Sequence, residues 1–243
     1  MKKMIIICFT LMLAVTGGCS MNDKQNGKED NKTEAVKPKD MDPKDLPKVP
    51  AFQDKATREY MASTKEVEPG YYLLESKLKG FTMLFPENAE YSNNFSGIRG
   101  DYEKIGFESN NPKTNIQFYG TVKYYKEESF VHDPETMLDT IRSQNGQYKG
   151  DFEKNSVADK DIYFAYQKYV FDDLKRKYNY SYSYFGFVKS TKEDLGIEYN
   201  FTFSCFKDDQ PCSLKEKEAR MKAKKIIHSI TFSKNKKEQK DGK

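Results

Sequence analysis

The chain has 243 residues, of which 32% are charged and 14% aromatic, with no Trp and a mean hydropathy of −0.88. A disordered protein is usually poor in aromatics, so this composition excludes wholesale disorder and points to an aromatic-cored domain with long polar extensions. The formal net charge of +4 is too small to argue for nucleic acid as a partner.

In chain order, the first element is a targeting segment. Met1-Lys2-Lys3 is a short basic start, Met4 to Val15 is an apolar run of 12 residues, and Thr16-Gly17-Gly18-Cys19 follows. A basic n-region, a short apolar stretch and small residues before a cut mark a secretory signal. Spanning a bilayer takes roughly 20 apolar residues, so the run is too short for a permanent span. Leu13-Ala14-Val15-Thr16-Gly17-Gly18-Cys19 resembles the lipobox of bacterial prolipoproteins, with Thr16 standing where Leu is usual. That resemblance implies a signal peptide over residues 1–18 and a diacylglyceryl group, with acyl chains such as palmitate, on Cys19, which becomes the mature N-terminus. Two acyl chains anchor stably where one does not. The expected location is the outer face of a Gram-positive type cell membrane, reached through the lipid anchor. Loss of Lys2 and Lys3 lowers the side-chain charge from +4 to about +2.

Residues 19–50 read as a disordered tether. From Ser20 to Pro50 there are seven Lys against seven Asp or Glu and almost no large apolar side chain. Such a segment buries too little to offset its ordering entropy, and as a random coil it reaches roughly 30 Å. Residues 51–233 form the expected folded domain, and 234–243 a basic, disordered tail. Within the domain, Asp54 to Thr64 reads as a short helix, Tyr71 to Glu75 and Gly80 to Pro86 as strands, and Pro69-Gly70 as the turn between the first two of these. Ile116 to Tyr125 alternates cleanly and predicts a strand. Asp133-Pro134 supplies a cap and first-turn proline for a helix carrying Met137, Leu138 and Ile141. Strands follow over Ile162–Phe171, Tyr178–Val188 and Ile197–Phe206. In the last, Ile197, Tyr199, Phe201, Phe203 and Cys205 share one face. Ser213-Leu214-Lys215-Glu216 matches a capping box opening a final helix, whose apolar contacts are expected from Leu214, Ala219, Met221, Ile226 and Ile227. Ile230-Thr231-Phe232 then reads as a short edge strand or helix end.

Successive strands with one interposed and one terminal helix give an α+β class: a single domain, mainly antiparallel sheet packed with helices. Gly80-Phe81-Thr82-Met83-Leu84-Phe85-Pro86 together with Ile226-Ile227-His228-Ser229-Ile230-Thr231-Phe232 looks like the PsbP-type α/β/α sandwich. Pro38 to Pro47, Glu68 to Ser76 and Tyr180 to Gly186 carry a resemblance to the YvcA family of Bacillus lipoproteins. That resemblance implies an exported lipoprotein and lends no catalytic residue, cofactor or defined activity.

Cys205 and Cys212, seven positions apart in an exported domain, suit a structural disulfide, with a redox pair, metal ligands or free thiols as the other readings. His132 and His228 read as structural or solvated. No nucleophile elbow, phosphate loop or zinc motif is present, so neither a catalytic, a cofactor-binding nor a metal site is expected. Tyr178, Tyr180, Tyr182 and Tyr184 share one strand face. Exposed, that ladder would bind glycan, peptide or a partner protein; covered by a helix, it is core. The function expected is therefore non-enzymatic binding or assembly in the cell envelope or cell-surface layer, including colony or matrix organisation, with an unknown envelope protein or polymer as partner. The alternatives are an envelope-acting hydrolase and a small-ligand receptor for a membrane system.

Overall fold

Period-two burial builds the larger of two sheets, and a computed structural model of the chain describes it within residues 36–126, 128–172 and 176–233. The signal segment 1–18, Cys19, the expected tether as far as residue 35, and the tail 234–243 lie outside the described residues.

The elements are α1 (Pro50–Gln53), α2 (Lys55–Arg58), β1 (Met61–Glu68), β2 (Tyr71–Glu75), β3 (Phe81–Pro86), β4 (Glu90–Tyr91), β5 (Gly97–Arg99), β6 (Tyr102–Asn111), β7 (Ile116–Lys126), α3 (Pro134–Gln144), β8 (Glu153–Val157), β9 (Lys160–Val170), β10 (Tyr180–Ser190), β11 (Leu195–Cys205), α4 (Glu216–Ser229) and β12 (Thr231–Phe232). The large sheet runs β4-β6-β7-β11-β10-β9-β8, with β5 also on β6, and the small sheet runs β1-β2-β3-β12; every pairing is antiparallel. One face of the large sheet packs the small sheet and α4 into the main core, where Phe81, Phe85, Phe107, Tyr124, Tyr184 and Phe201 are fully buried. The other face receives α3 through Met137, Leu138 and Ile141 on Tyr163, Ala165, Phe185 and Phe187. The α+β expectation holds, with α3, the large sheet, and the small sheet with α4 as three layers.

Four details differ from the sequence-based expectations. The helix over 54–64 stops at Arg58, because the chain turns at Tyr60, whose carbonyl accepts from the Glu75 N–H (2.8 Å), and Met61 pairs with Leu74 in β1 and β2. Tertiary pairing overrides local propensity here. Residues 36–50, expected within a disordered tether, pack on the domain: Pro38 and Leu46 are buried and Lys37 meets Glu75 at 2.9 Å. Their prolines open two tight turns at Pro38–Asp40 and Pro43–Asp45, where a fixed φ costs nothing extra. The capping box is not made, since α4 begins at Glu216 behind an uncapped Lys215, while the Ser213 N–H donates to the Thr114 carbonyl at 3.1 Å. Met221 is 58% exposed rather than core-facing. Asp133 does cap α3, accepting from the Glu135 N–H at 3.0 Å.

Strand β6 carries a buried charge. Glu103 is fully buried, and its two carboxylate oxygens accept from the N–H groups of Lys77 (3.0 Å) and Leu78 (3.1 Å) in the β2–β3 turn. Burial pushes its carboxyl above the ordinary value of 4.5. A carboxyl whose folded pKa is raised holds its proton more tightly in the native state, so ionising it costs stability as pH climbs from 4.5 through that pKa. Urea unfolding of the wild type and Glu103→Gln should therefore show the wild type gaining on the variant as pH falls from 7 to 4.5. A pH-independent gap would rule out this account of Glu103.

Candidate functional site

Where the two sheets diverge at one end, their turns leave a cleft. On one wall, Gly70 takes a positive φ of 78° that closes the β1–β2 turn, and its carbonyl accepts from the Glu87 N–H at 2.9 Å. Pro86 ends β3 there, and the Glu87 carbonyl accepts from the Ala51 N–H at 3.0 Å, so Glu87 and Asn88 sit on a pinned turn. On the opposite wall, β6 ends at Ser109 and Asn111. The Asn111 side chain accepts from the N–H groups of Lys113 (3.0 Å) and Thr114 (3.3 Å) and so fixes the turn into β7. The floor is Ile116 with Phe118 stacked on Phe203, ring centres 4.6 Å apart, and Ile226 of α4. The exposed Lys222, one helical turn before Ile226, also lines the cleft, while Lys225 lies over the Tyr71 ring at 4.4 Å. The enclosed volume is about 150 Å³.

The polar groups around this cleft are unspent. Among the described residues, no hydrogen bond or ion pair engages the side chains of Glu87, Asn88, Ser109, Thr114 or Lys222, although Ser109 is buried. An apolar pocket with a few convergent polar groups is the usual form of a small-molecule site. Sequence reading missed it because five separate segments contribute, none with a motif.

The tyrosine ladder is mostly internal. Tyr184 is fully buried and donates to the Glu216 carbonyl at 2.9 Å, with Tyr166 stacked on it at 5.2 Å. Burial drives the Tyr184 phenol well above its ordinary value of 10. The Tyr178 hydroxyl accepts from the Cys212 N–H at 3.0 Å. Tyr180 and Tyr182 are half-buried under the Lys168 ammonium, 4.8 Å above the Tyr180 ring. With Phe185 and Phe187 buried on the opposite face, strand β10 has both sides covered.

Cys205 and Cys212 are joined as a disulfide, with Cα atoms 5.9 Å apart. Closing so short a loop contributes on the order of 2–3 kcal/mol by chain-entropy reasoning. The loop packs on the start of β10: Asp208 accepts from the Tyr178 N–H at 3.3 Å and pairs with Arg176 at 3.4 Å. His132 lies 3.1 Å from Asp194 on the surface, while His228, at the end of α4, is held below its ordinary value by burial and by Lys160. Among the described residues, no three His, Cys, Asp or Glu side chains gather as metal ligands, and no helix is long and apolar enough to cross a membrane.

The family model described as "Putative lipoprotein YvcA" matches residues 47–231, which takes in both sheets, the cleft and the disulfide. The chain belongs to the YvcA lipoprotein family. The "Putative lipoprotein YvcA" of Bacillus subtilis (strain 168) is 62% identical over 242 residues, covering 98% of this chain and 100% of the relative. Among solved structures, the Ran-binding protein Mog1p of Saccharomyces cerevisiae aligns with 66% of this chain and 94% of its own, at 9% identity and a TM-score of 0.40. The YvcA family match begins at residue 47, just after the buried Leu46.

Proposed function

We propose that this YvcA-family lipoprotein is anchored through Cys19 to the outer face of the membrane and acts by binding rather than by catalysis, with the cleft at the end of the sandwich as its binding site. The observation that carries this reading is the convergence of five polar side chains without internal partners around an apolar floor, whereas the buried carboxylates elsewhere are engaged. Glu103 is held by two backbone N–H groups, and Glu198 by Lys123 at 2.5 Å and by the Tyr125 hydroxyl at 3.0 Å.

Two measurements test the two halves. Cells fed labelled palmitate should label the wild type and not Cys19→Ala; label on the variant would sink the anchor. A photo-crosslinking side chain at Asn88, irradiated in intact cells, should give an adduct absent from the same label at the exposed Val157. Equal adducts at both positions, or turnover of a wall polymer by the purified chain, would overturn the binding reading.

A further inference from the structure

We propose, building on that reading of the cleft, that its ligand is a free apolar α-amino acid bound as the zwitterion. Three properties of the cleft select this chemistry. The first is size. A volume of about 150 Å³ matches that of an apolar cavity able to hold one benzene, so the floor accepts a single phenyl or isobutyl group. The second is the floor itself, Phe118 stacked on Phe203 with Ile226, which offers ring faces and methyl groups to one apolar side chain.

The third is the pairing of opposite charges at the rim. Lys222 and Glu87 come from different walls, α4 and the turn after β3, and neither has an ion-pair partner among the described residues. Three other cations of α4 are engaged: Arg220 and Lys224 on Glu153, and Lys225 on Glu68. Lys222 has Glu218 nearby on its own helix and helps to lower that carboxyl, but makes no ion pair with it, so it can meet an incoming carboxylate, and Glu87 an incoming ammonium. The exposed Asn88 and the buried Ser109 add an amide and a hydroxyl to the same cleft. A site that presents one cation and one anion above an apolar floor complements a molecule carrying an α-ammonium, an α-carboxylate and one apolar side chain. A ligand lacking either charge leaves the matching side chain without a partner.

Four probes separate the terms: L-phenylalanine, N-acetyl-phenylalanine without the ammonium, phenylalaninamide without the carboxylate, and N-acetyl-phenylalaninamide with neither. Binding to the full chain is followed by calorimetry or by NMR shifts of Phe118 and Phe203. L-Phenylalanine should bind most tightly, each singly blocked analogue at least tenfold more weakly, and the doubly blocked one weakest. Lys222→Gln should weaken L-phenylalanine about tenfold and leave phenylalaninamide unchanged, whereas Glu87→Gln should weaken L-phenylalanine about tenfold and leave N-acetyl-phenylalanine unchanged. Both side chains lie at the solvent-facing rim, so the melting temperatures of the variants report that the fold is intact. Equal affinity for all four probes would overturn the zwitterion while sparing the cleft as a binding site. Binding of none of them, with a clear adduct from Asn88 in cells, would also overturn it and point to another ligand class. Silence in both assays would remove the cleft altogether.

Discussion

Gly186→Ala is expected to cost more than about 4 kcal/mol, enough to leave a small domain largely unfolded. Gly186 lies in the middle of β10, paired with Phe164 on β9 and Tyr199 on β11. A Cβ there would sit 1.9 Å from the Tyr163 carbonyl oxygen and 2.7 Å from the Tyr199 hydroxyl. The reason is a bond that crosses a whole strand: the Tyr199 hydroxyl of β11 passes over Gly186 and donates to the Tyr163 carbonyl on β9 at 2.8 Å. Tyr199 is completely buried, and burial holds its phenol protonated far above the ordinary value. The nearest obstacle is backbone, so no rotamer change relieves it. Tyr199→Phe alone should cost about 1–3 kcal/mol by leaving a buried carbonyl unpaired, and it should not rescue Gly186→Ala. Urea unfolding of the two single variants and the double variant checks this. A Gly186→Ala protein within 1 kcal/mol of wild type would show that β9 and β10 can separate there at little cost.

Lys160→Met is the second large effect expected, at about 3 kcal/mol. The last carbonyls of a helix have no partner within it. Lys160, the first residue of β9, is buried and donates to the His228 carbonyl at 2.7 Å and to the Ile230 carbonyl, so it pins the end of α4 to the large sheet. A cation at a helix C-terminus also opposes the negative end of the dipole. Methionine keeps the stem and removes the donor, which isolates the charge-assisted bonds from packing. Burial lowers the Lys160 ammonium from its ordinary 10.5. The native state then sheds this proton before the unfolded state does, so wild-type stability should rise relative to Lys160→Met as pH climbs from the folded pKa to 10.5. Denaturant midpoints for both proteins across alkaline pH test the sign; a narrowing gap would contradict it.

The sequence showed best what repeats with period two. Strands β7 and β11 were legible because Phe118, Val122 and Tyr124, and Ile197 through Cys205, alternate with polar neighbours. Strand β6 was not, because its inward positions include Glu103 and Ser109, which read as solvent-facing until the Lys77 and Leu78 amides are seen to meet the carboxylate. Strand β8 is exposed at every position and has no apolar signal to give. The ladder at Tyr178 to Tyr184 stayed open between surface and core because tyrosine suits both roles, and only the tertiary packing decides between them. The cleft was illegible for another reason: Glu87, Ser109, Thr114, Phe203 and Lys222 lie far apart along the chain, and antiparallel pairing alone brings them together.

The packed prolines of residues 36–50 change the geometry of capture. The packing reaches back at least to Val36, so at most residues 20–35 separate a lipid on Cys19 from the domain, 16 residues in place of the 31 counted to Pro50. Fully extended, they span at most about 56 Å, against roughly 110 Å for the longer leash. For a chain anchored as proposed, the start of the domain stays within that distance of the headgroups. Whatever it binds must then come within that reach of the membrane surface.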